Sequence, residues 1–279
     1  MQNRRLPSFI IIGAAKAATT WIAHQLRERP DVYLPGPEPH YFSREYARGE
    51  DWYADWFDGA RPNQLVGEKS ADYLADSHVP LRMAALLPDV RLIAQLRNPV
   101  ERAYSDYCML FRRGQVNGDI DAYLDRARTS QPRFLDDGLY ARHIARFLDH
   151  FPADQLRIVL HEEISSEPER VVSSICEMLG LDPMPITSPA KRVNDGGAPL
   201  APLAFRRMPA TIKRVVAPLR GNPMFESARK LIARPVSYPP LAGEIRKRLE
   251  HFYAEDVEQL GTYLGRDLSA WIRPPEPAR

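Results

Sequence analysis

The stretch Phe9-Ile10-Ile11-Ile12-Gly13-Ala14-Ala15-Lys16-Ala17-Ala18-Thr19-Thr20-Trp21 constrains the chain more than any other. Four apolar residues, three of them β-branched, run into a glycine, as a short strand buried on both faces does. A loop of small residues with one lysine follows. Trp21, Ile22, Gln25 and Leu26 then recur at helical spacing until Pro30 stops the pattern. Strand, tight loop and helix start, in that order, aim free backbone N–H groups and the positive end of a helix at one point, which suits an anion. An ordinary βα turn has the same outline, but a lysine has no packing reason to sit in one. The loop does not fit the pattern G-x-x-x-x-G-K-[ST], because Ala18 stands where its second glycine would be and Thr19 where its lysine would be. A magnesium-nucleotide hydrolase is therefore disfavoured.

Further apolar runs at Val32–Leu34, Leu65–Ser70, Val90–Leu96 and Leu156–Leu160 read as strands. Helical patterns alternate with them: Thr19–Arg29, Pro80–Leu87, a helix opening at Asn98-Pro99, Asp119–Arg128, Gly138–Phe151, Pro168–Leu179 with a Gly180 cap, and a long terminal helix from Leu241 to Leu264 ended by Gly265. This alternation predicts an α/β fold with a central parallel β-sheet flanked by helices. The 279 residues suffice for one large domain with insertions, and 1–279 is read as a single domain. A net charge of +2 gives no general case for nucleic acid or membrane binding, so any anion site is local. Cys108 and Cys176 form no metal pattern and no disulfide framework, and read as buried or semi-buried thiols. The first strand begins within ten residues of Met1, and no apolar run approaches the roughly 20 residues of a membrane span. The expectation is a soluble, cytoplasmic protein without an integral membrane segment. The pattern leaves the oligomeric state open.

Chemistry-bearing residues gather where strands end. Pro35 to Pro39 form a stiff loop that places Glu38 and His40 on one side if it is extended, either as a pair for proton transfer or as exposed surface acids and bases. Leu65–Ser70 ends in a polar tip with Glu68 and Lys69. Arg97 closes another strand, and Ser105 lies two turns into the following helix, a combination that suits a phosphate. His161 follows the last strand beside two glutamates, and a structural role at the strand end is the better reading. The aromatic segment 52–57 reads as core or as a substrate wall. Residues 183–240 read as a loop and helical insertion that covers nucleotide and acceptor: it carries Lys191-Arg192 beside glycines and a basic stretch over 203–236.

Taken together, these junctions resemble the PAPS-dependent sulfotransferases over most of the chain. Lys16-Ala17-Ala18-Thr19-Thr20-Trp21 resembles their 5′-phosphosulfate loop, K-x-G-T-T. Arg97-Asn98-Pro99 with Ser105 resembles their 3′-phosphate motif. Pro37-Glu38-Pro39-His40-Tyr41-Phe42 and Glu68-Lys69-Ser70-Ala71-Asp72-Tyr73 are similar to the K-E-x-H-F-F and E-K-S-x-x-Y segments of the heparan sulfate branch, as is the closing segment from Phe252 to Trp271. The resemblance implies a P-loop-like three-layer fold. It also implies transfer of the sulfuryl group from PAPS to a hydroxyl of a small molecule, glycolipid or saccharide, with release of adenosine 3′,5′-bisphosphate and no metal. It assigns Lys16 to the bridging oxygen, the amides of Ala17 and Ala18 with Thr19 and Thr20 to the 5′-phosphate, Trp21 to the adenine, and Arg97 and Ser105 to the 3′-phosphate. Glu38 would be the base, with His40 beside it, and Lys69 would support developing charge; His40 and Glu68 are the alternative bases. Lys191 and Arg192 would close over the nucleotide.

The chain departs from the pattern in three places. Ala18 replaces the loop glycine; alanine is comfortable there only at negative φ, so the loop is expected to differ slightly from the family's shape. Pro37 replaces a lysine before the implied base. The membrane anchor and C-terminal disulfide of the secretory members have no counterpart, so a polyanionic heparan-type acceptor is not implied. The competing readings are a nucleotide-dependent kinase on the same architecture and a non-catalytic nucleotide-binding module.

Overall fold

The computed structural model describes residues 5–186 and 236–272. Five strands, β1 (Phe9–Gly13), β2 (Val32–Tyr33), β3 (Leu65–Lys69), β4 (Arg91–Leu96) and β5 (Leu156–Leu160), pair in parallel in the order β2-β3-β1-β4-β5. The helices are α1 (Thr19–Arg27), α2 (Gly49–Asp55), α3 (Val79–Leu86), α4 (Pro99–Arg113), α5 (Asp121–Leu124), α6 (Arg133–Asp136), α7 (Tyr140–Leu148), α8 (His161–Ser166), α9 (Pro168–Leu179) and α10 (Gly243–Leu264). This is the expected three-layer α/β fold with a P-loop-like sheet.

Strand alternation divides the core in two. Phe9 and Ile11 point to one face, where Trp21, Ile22 and Leu26 of α1 and Val172, Ile175 and Leu179 of α9 cover them. Ile10 and Ile12 point to the other face, toward Val100 and Tyr107 of α4, Ile144 and Phe147 of α7, and Leu249, Tyr253 and Leu260 of α10. Because both faces are covered, β1 is apolar throughout and every residue of it is buried. Strand order reverses at β1, which lies between β3 and β4. The C-terminal tips of those three strands form the crevice where open parallel sheets bind ligands.

Several boundaries follow the sequence closely. Asn98 caps α4, its side chain accepting from the Val100 and Glu101 amides at 2.9 and 3.2 Å. Gly180 ends α9 in the left-handed conformation with φ 70°. Two helices are shorter than their patterns predict. The 119–128 segment is helical only over Asp121–Leu124, because Asp125 turns to an extended backbone and its carboxylate accepts from the Ala127 amide at 2.9 Å. The 138–151 pattern gives a helix from Tyr140 to Leu148, whose start is fixed from outside: Asp256 of α10 accepts from the Ala141 and Arg142 amides at 3.0 and 3.1 Å. Cys108 is half-buried and Cys176 buried, and both are free thiols. Among the described residues no helix is long and apolar enough to cross a membrane.

Candidate active site

The loop after β1 is pinned by its neighbour in the sheet. The Ala14 amide donates to the Gln95 carbonyl at 2.7 Å, and the Gln95 side chain of β4 donates to the Ala17 carbonyl. Lys16, between these anchors, and Ala18, just past the second, adopt φ of 73° and 70°. Left-handed residues interleaved in a turn gather N–H groups into an anion-binding concavity. Among the described residues, the amides of Lys16, Ala18, Thr19 and Thr20 donate to no backbone carbonyl, and the last two open α1. Ala18 corrects the expectation of a negative φ: the loop keeps a glycine-like shape, at about 1–2 kcal/mol for an L-residue. The half-buried Lys16 ammonium sits below its ordinary pKa. Burial is the main cause; Arg113 and Arg97 add to it, and Asp106 and Cys108 oppose it. Apart from Arg97, at the tip of β4, these residues belong to α4.

Arg97 stands at the tip of β4, half-buried, with its guanidinium 3.5 Å from the Lys16 carbonyl and 3.9 Å from Glu101. Arg246 of α10 approaches Glu101 to 2.5 Å. The Asn98 side chain, besides capping α4, donates to the Trp271 carbonyl at 3.1 Å. Ser105 lies on α4 two turns beyond, half-buried. Lys16, Arg97 and Arg113 thus give this side of the crevice a concentration of positive charge beside a helix N-terminus.

The tip of β3 and the 35–44 loop form the other side. Ser70 and Leu74 donate to the Ile11 and Ile12 carbonyls at 3.1 and 2.8 Å, which joins this tip to the end of β1. Glu38 is held through both oxygens: Lys69 Nζ donates to Oε1, and the Ala71 amide donates to Oε2 at 3.0 Å. His40 Nε2 lies 3.9 Å from the same Oε2, so the loop does bring Glu38 and His40 together. It does so with a bend, since His40 has φ 54°. The His40 Nδ1 meets Asp72 Oδ1 at 2.6 Å, and Ser43 Oγ and Arg44 Nε reach Asp72 Oδ2 at 2.9 and 3.0 Å. The hydrogen bond to Asp72 raises the His40 pKa; burial and Arg44 oppose this, and Glu38 supports it. Burial would raise the Asp72 carboxyl, but the His40, Ser43 and Arg44 contacts outweigh it and hold it low. Beneath them, fully buried Glu68 accepts from Tyr53 OH and, at 2.7 Å, from Ser70 Oγ, which in turn accepts from the His40 amide at 3.0 Å. Burial pushes the Glu68 carboxyl up to about 7, although its hydrogen bonds pull the other way.

A crevice with a cationic, amide-lined wall on one side and a clamped carboxylate on the other calls for comparison with known proteins. Residues 6–193 match the family model described as "Sulfotransferase domain". The chain belongs to the sulfotransferase family. Within it, the sulfotransferase is 34% identical over 184 residues to heparan sulfate glucosamine 3-O-sulfotransferase 3B1 of Mus musculus, covering 64% of this chain and 47% of that relative. It is 35% identical over 202 residues to the human bifunctional heparan sulfate N-deacetylase/N-sulfotransferase 2, covering 64% of this chain and 22% of the relative. It therefore spans about half, or less, of the length of these curated relatives. The crystal structure of a sulfotransferase from Alicyclobacillus acidocaldarius superposes with a TM-score of 0.71 at 27% identity, covering 96% of this chain and all of the other. The resemblance to the heparan sulfate branch thus holds.

The sulfotransferase departs from the sequence reading at several residues. Trp21 does not stand open for an adenine: only 4% exposed, it packs under α1 with Phe9, Ile11 and Ile22, because its place in the first turn of α1 turns the ring toward the sheet. Thr19 is likewise buried at 4%, leaving its amide and the half-buried Thr20 for a ligand. Glu68 is not an accessible base, since it is 0% exposed and both oxygens are engaged. The aromatic segment is mainly core: Tyr53 and Phe57 are buried, and Tyr53 stacks on Tyr41 at 4.2 Å. Lys191, Arg192 and the basic 203–236 stretch lie outside the described residues. The resemblance implies no metal, yet the fold brings ligand atoms of Glu38, His40 and Asp72 within 4.8 Å of one another. Lys69 on Glu38 and Arg44 on Asp72 already balance both carboxylates, so the group is a chain of ion pairs of alternating sign. Asp72 is the site residue that the sequence reading passed over. Its only signal was its place three residues after Lys69, on the tip of the same strand.

Proposed function

We propose that this sulfotransferase uses PAPS as donor and a saccharide hydroxyl as acceptor, and releases adenosine 3′,5′-bisphosphate. The observation that carries the reading is Glu38: a loop carboxylate, 30% exposed, gripped by Lys69 and the Ala71 amide at the tip of β3, which is itself bonded to the end of β1. The amides of Lys16, Ala18, Thr19 and Thr20 with the Lys16 ammonium suit the 5′-phosphosulfate, the Ala17 amide being spent on the Ala14 carbonyl at 3.2 Å, and Arg97 with Ser105 suits the 3′-phosphate. In an in-line displacement the acceptor O–H proton passes to Glu38 as its oxygen bonds to sulfur. The bond from sulfur to the bridging oxygen breaks, and Lys16 supports the charge gathering on that oxygen. A partly desolvated lysine beside two arginines gains most from an anion, and the departing phosphate becomes more anionic as the bond opens. The names of the relatives, which act on heparan sulfate, support a saccharide acceptor.

The test combines binding and turnover. Adenosine 3′,5′-bisphosphate is expected to raise the melting temperature without added metal, and radiolabelled sulfate from PAPS is expected on members of a saccharide panel. Lys16→Ala and Glu38→Gln are each expected to lower kcat by at least about a hundredfold, the usual scale for losing a charge-stabilising or acid–base group. Near wild-type turnover in Glu38→Gln would sink the base assignment. Nucleotide binding with no transfer to any acceptor would favour a non-catalytic binding module.

A further inference from the structure

We propose that Asp72 is the positioning residue of the acceptor side: it holds the His40 imidazole by Nδ1 so that Nε2–H faces Glu38 and orients that carboxylate toward the acceptor hydroxyl. The inference rests on the reading of Glu38 as base. Its ground is an unbroken row of charges, Arg44, Asp72, His40, Glu38 and Lys69, built from two segments some thirty residues apart in sequence. Four contacts make the row rigid. Ser43 Oγ donates to Asp72 at 2.9 Å, the His40 amide donates to Ser70 Oγ at 3.0 Å, the Ala71 amide donates to Glu38 at 3.0 Å, and Lys69 closes the far end. With Nδ1–H committed to Asp72 at 2.6 Å, the other ring nitrogen is the one that faces the crevice, 3.9 Å from Glu38 Oε2. A gap of that size closes to a hydrogen bond through a small movement of either side chain. Oε2 then accepts from both the Ala71 amide and Nε2–H, and Oε1, which accepts from Lys69 alone, keeps a lone pair for the incoming proton.

The charged groups facing His40 are Asp72, Arg44 and Glu38, with Lys69 behind Glu38. Asp72 and Glu38 favour the imidazolium and Arg44 disfavours it. The form that donates to both carboxylates is the imidazolium, so activity is expected to fall as pH rises through the His40 titration.

Two variants separate positioning from mere structural support. Asp72→Asn keeps the shape but removes the charge; it is expected to move the alkaline limb of the kcat profile to lower pH and to reduce kcat by roughly tenfold or more at about pH 8. Arg44→Ala, at a side chain 65% exposed, removes a cation from the outer end of the row and is expected to move the same limb to higher pH. Histidine NMR of the resting protein is expected to show His40 titrating at lower pH in Asp72→Asn and at higher pH in Arg44→Ala. That readout needs no turnover, so it judges the inference separately from the proposed transfer. An unchanged His40 titration in either variant, or a loss of kcat equal at all pH values, would overturn it.

Discussion

At Ala18 an alanine does a glycine's work. Its φ of 70° falls where the loop passes from the Gln95 anchor on the Ala17 carbonyl into α1, and the methyl group pays for that geometry. Ala18→Gly is therefore expected to stabilise the protein by about 0.5–1 kcal/mol, less than the full left-handed penalty because glycine costs more entropy to fix. A rise of roughly 1–4 °C in melting temperature would show it; a fall would mean the loop gains nothing from freedom at 18. Glu68 gives a residue-scale prediction of pH dependence. Its folded pKa of about 7 lies above its ordinary 4.5, so the native state holds a proton that the unfolded chain has released. The resulting stabilisation is complete below the ordinary value and is lost as pH rises through about 7. Relative to Glu68→Gln, the wild type is expected to lose unfolding free energy between about pH 5 and pH 8, by roughly 1–3 kcal/mol. Chemical denaturation of both proteins at the two pH values measures this.

At the scale of elements, β1 and β3 depend on a missing side chain. A Cβ placed on Gly67 would come within 2.1 Å of the Phe9 ring, and Phe9 is itself fully buried between the sheet and α1. Gly67→Ala is expected to cost about 1–3 kcal/mol by overpacking, and Phe9→Leu in the same chain is expected to recover part of it; equal denaturation midpoints for Gly67→Ala and wild type would count against the contact. Elements were legible wherever a local rule sufficed. The Ile10-Ile11-Ile12 run, the Asn98-Pro99 helix start and the Gly180 stop each carry their structure within a few residues. The 119–128 and 138–151 helices were overextended because what ends or begins them is a side-chain bond, in one case from Asp256 more than a hundred residues away. The site divides in the same way. The lysine and arginine at strand tips showed through their motifs, whereas the partnership of His40 with Asp72 and the burial of Glu68 and Trp21 exist only once β3 lies against β1 and α1 against the sheet. No spacing in the chain records those contacts.

At the scale of the whole molecule, the matched family region ends at 193, but the core does not. α10 supplies Ile245, Leu249, Tyr253, Val257 and Leu260 to the larger core cluster, places Asp256 at the start of α7, and leads to Trp271, whose carbonyl holds Asn98. Five such side chains, at roughly 1.5–3 kcal/mol each, amount to the net stability of a typical domain. A chain cut after 193 is expected to lose its cooperative thermal transition, as read by circular dichroism. A sharp transition near that of the full chain would show that α10 is dispensable. The sheet order has one more consequence. Groups suited to the donor come from β1, β4 and α4, while Glu38, His40, Lys69 and Asp72 come from the block between 35 and 74, on β3's side of β1. In the proposed reaction the acceptor's groups thus form one block of the chain, flanked in sequence by the donor's, and the two sets meet along β1. Under the proposed function the block between 35 and 74 is the text to rewrite for a new alcohol, and the stretches on either side keep the donor's cradle as it was.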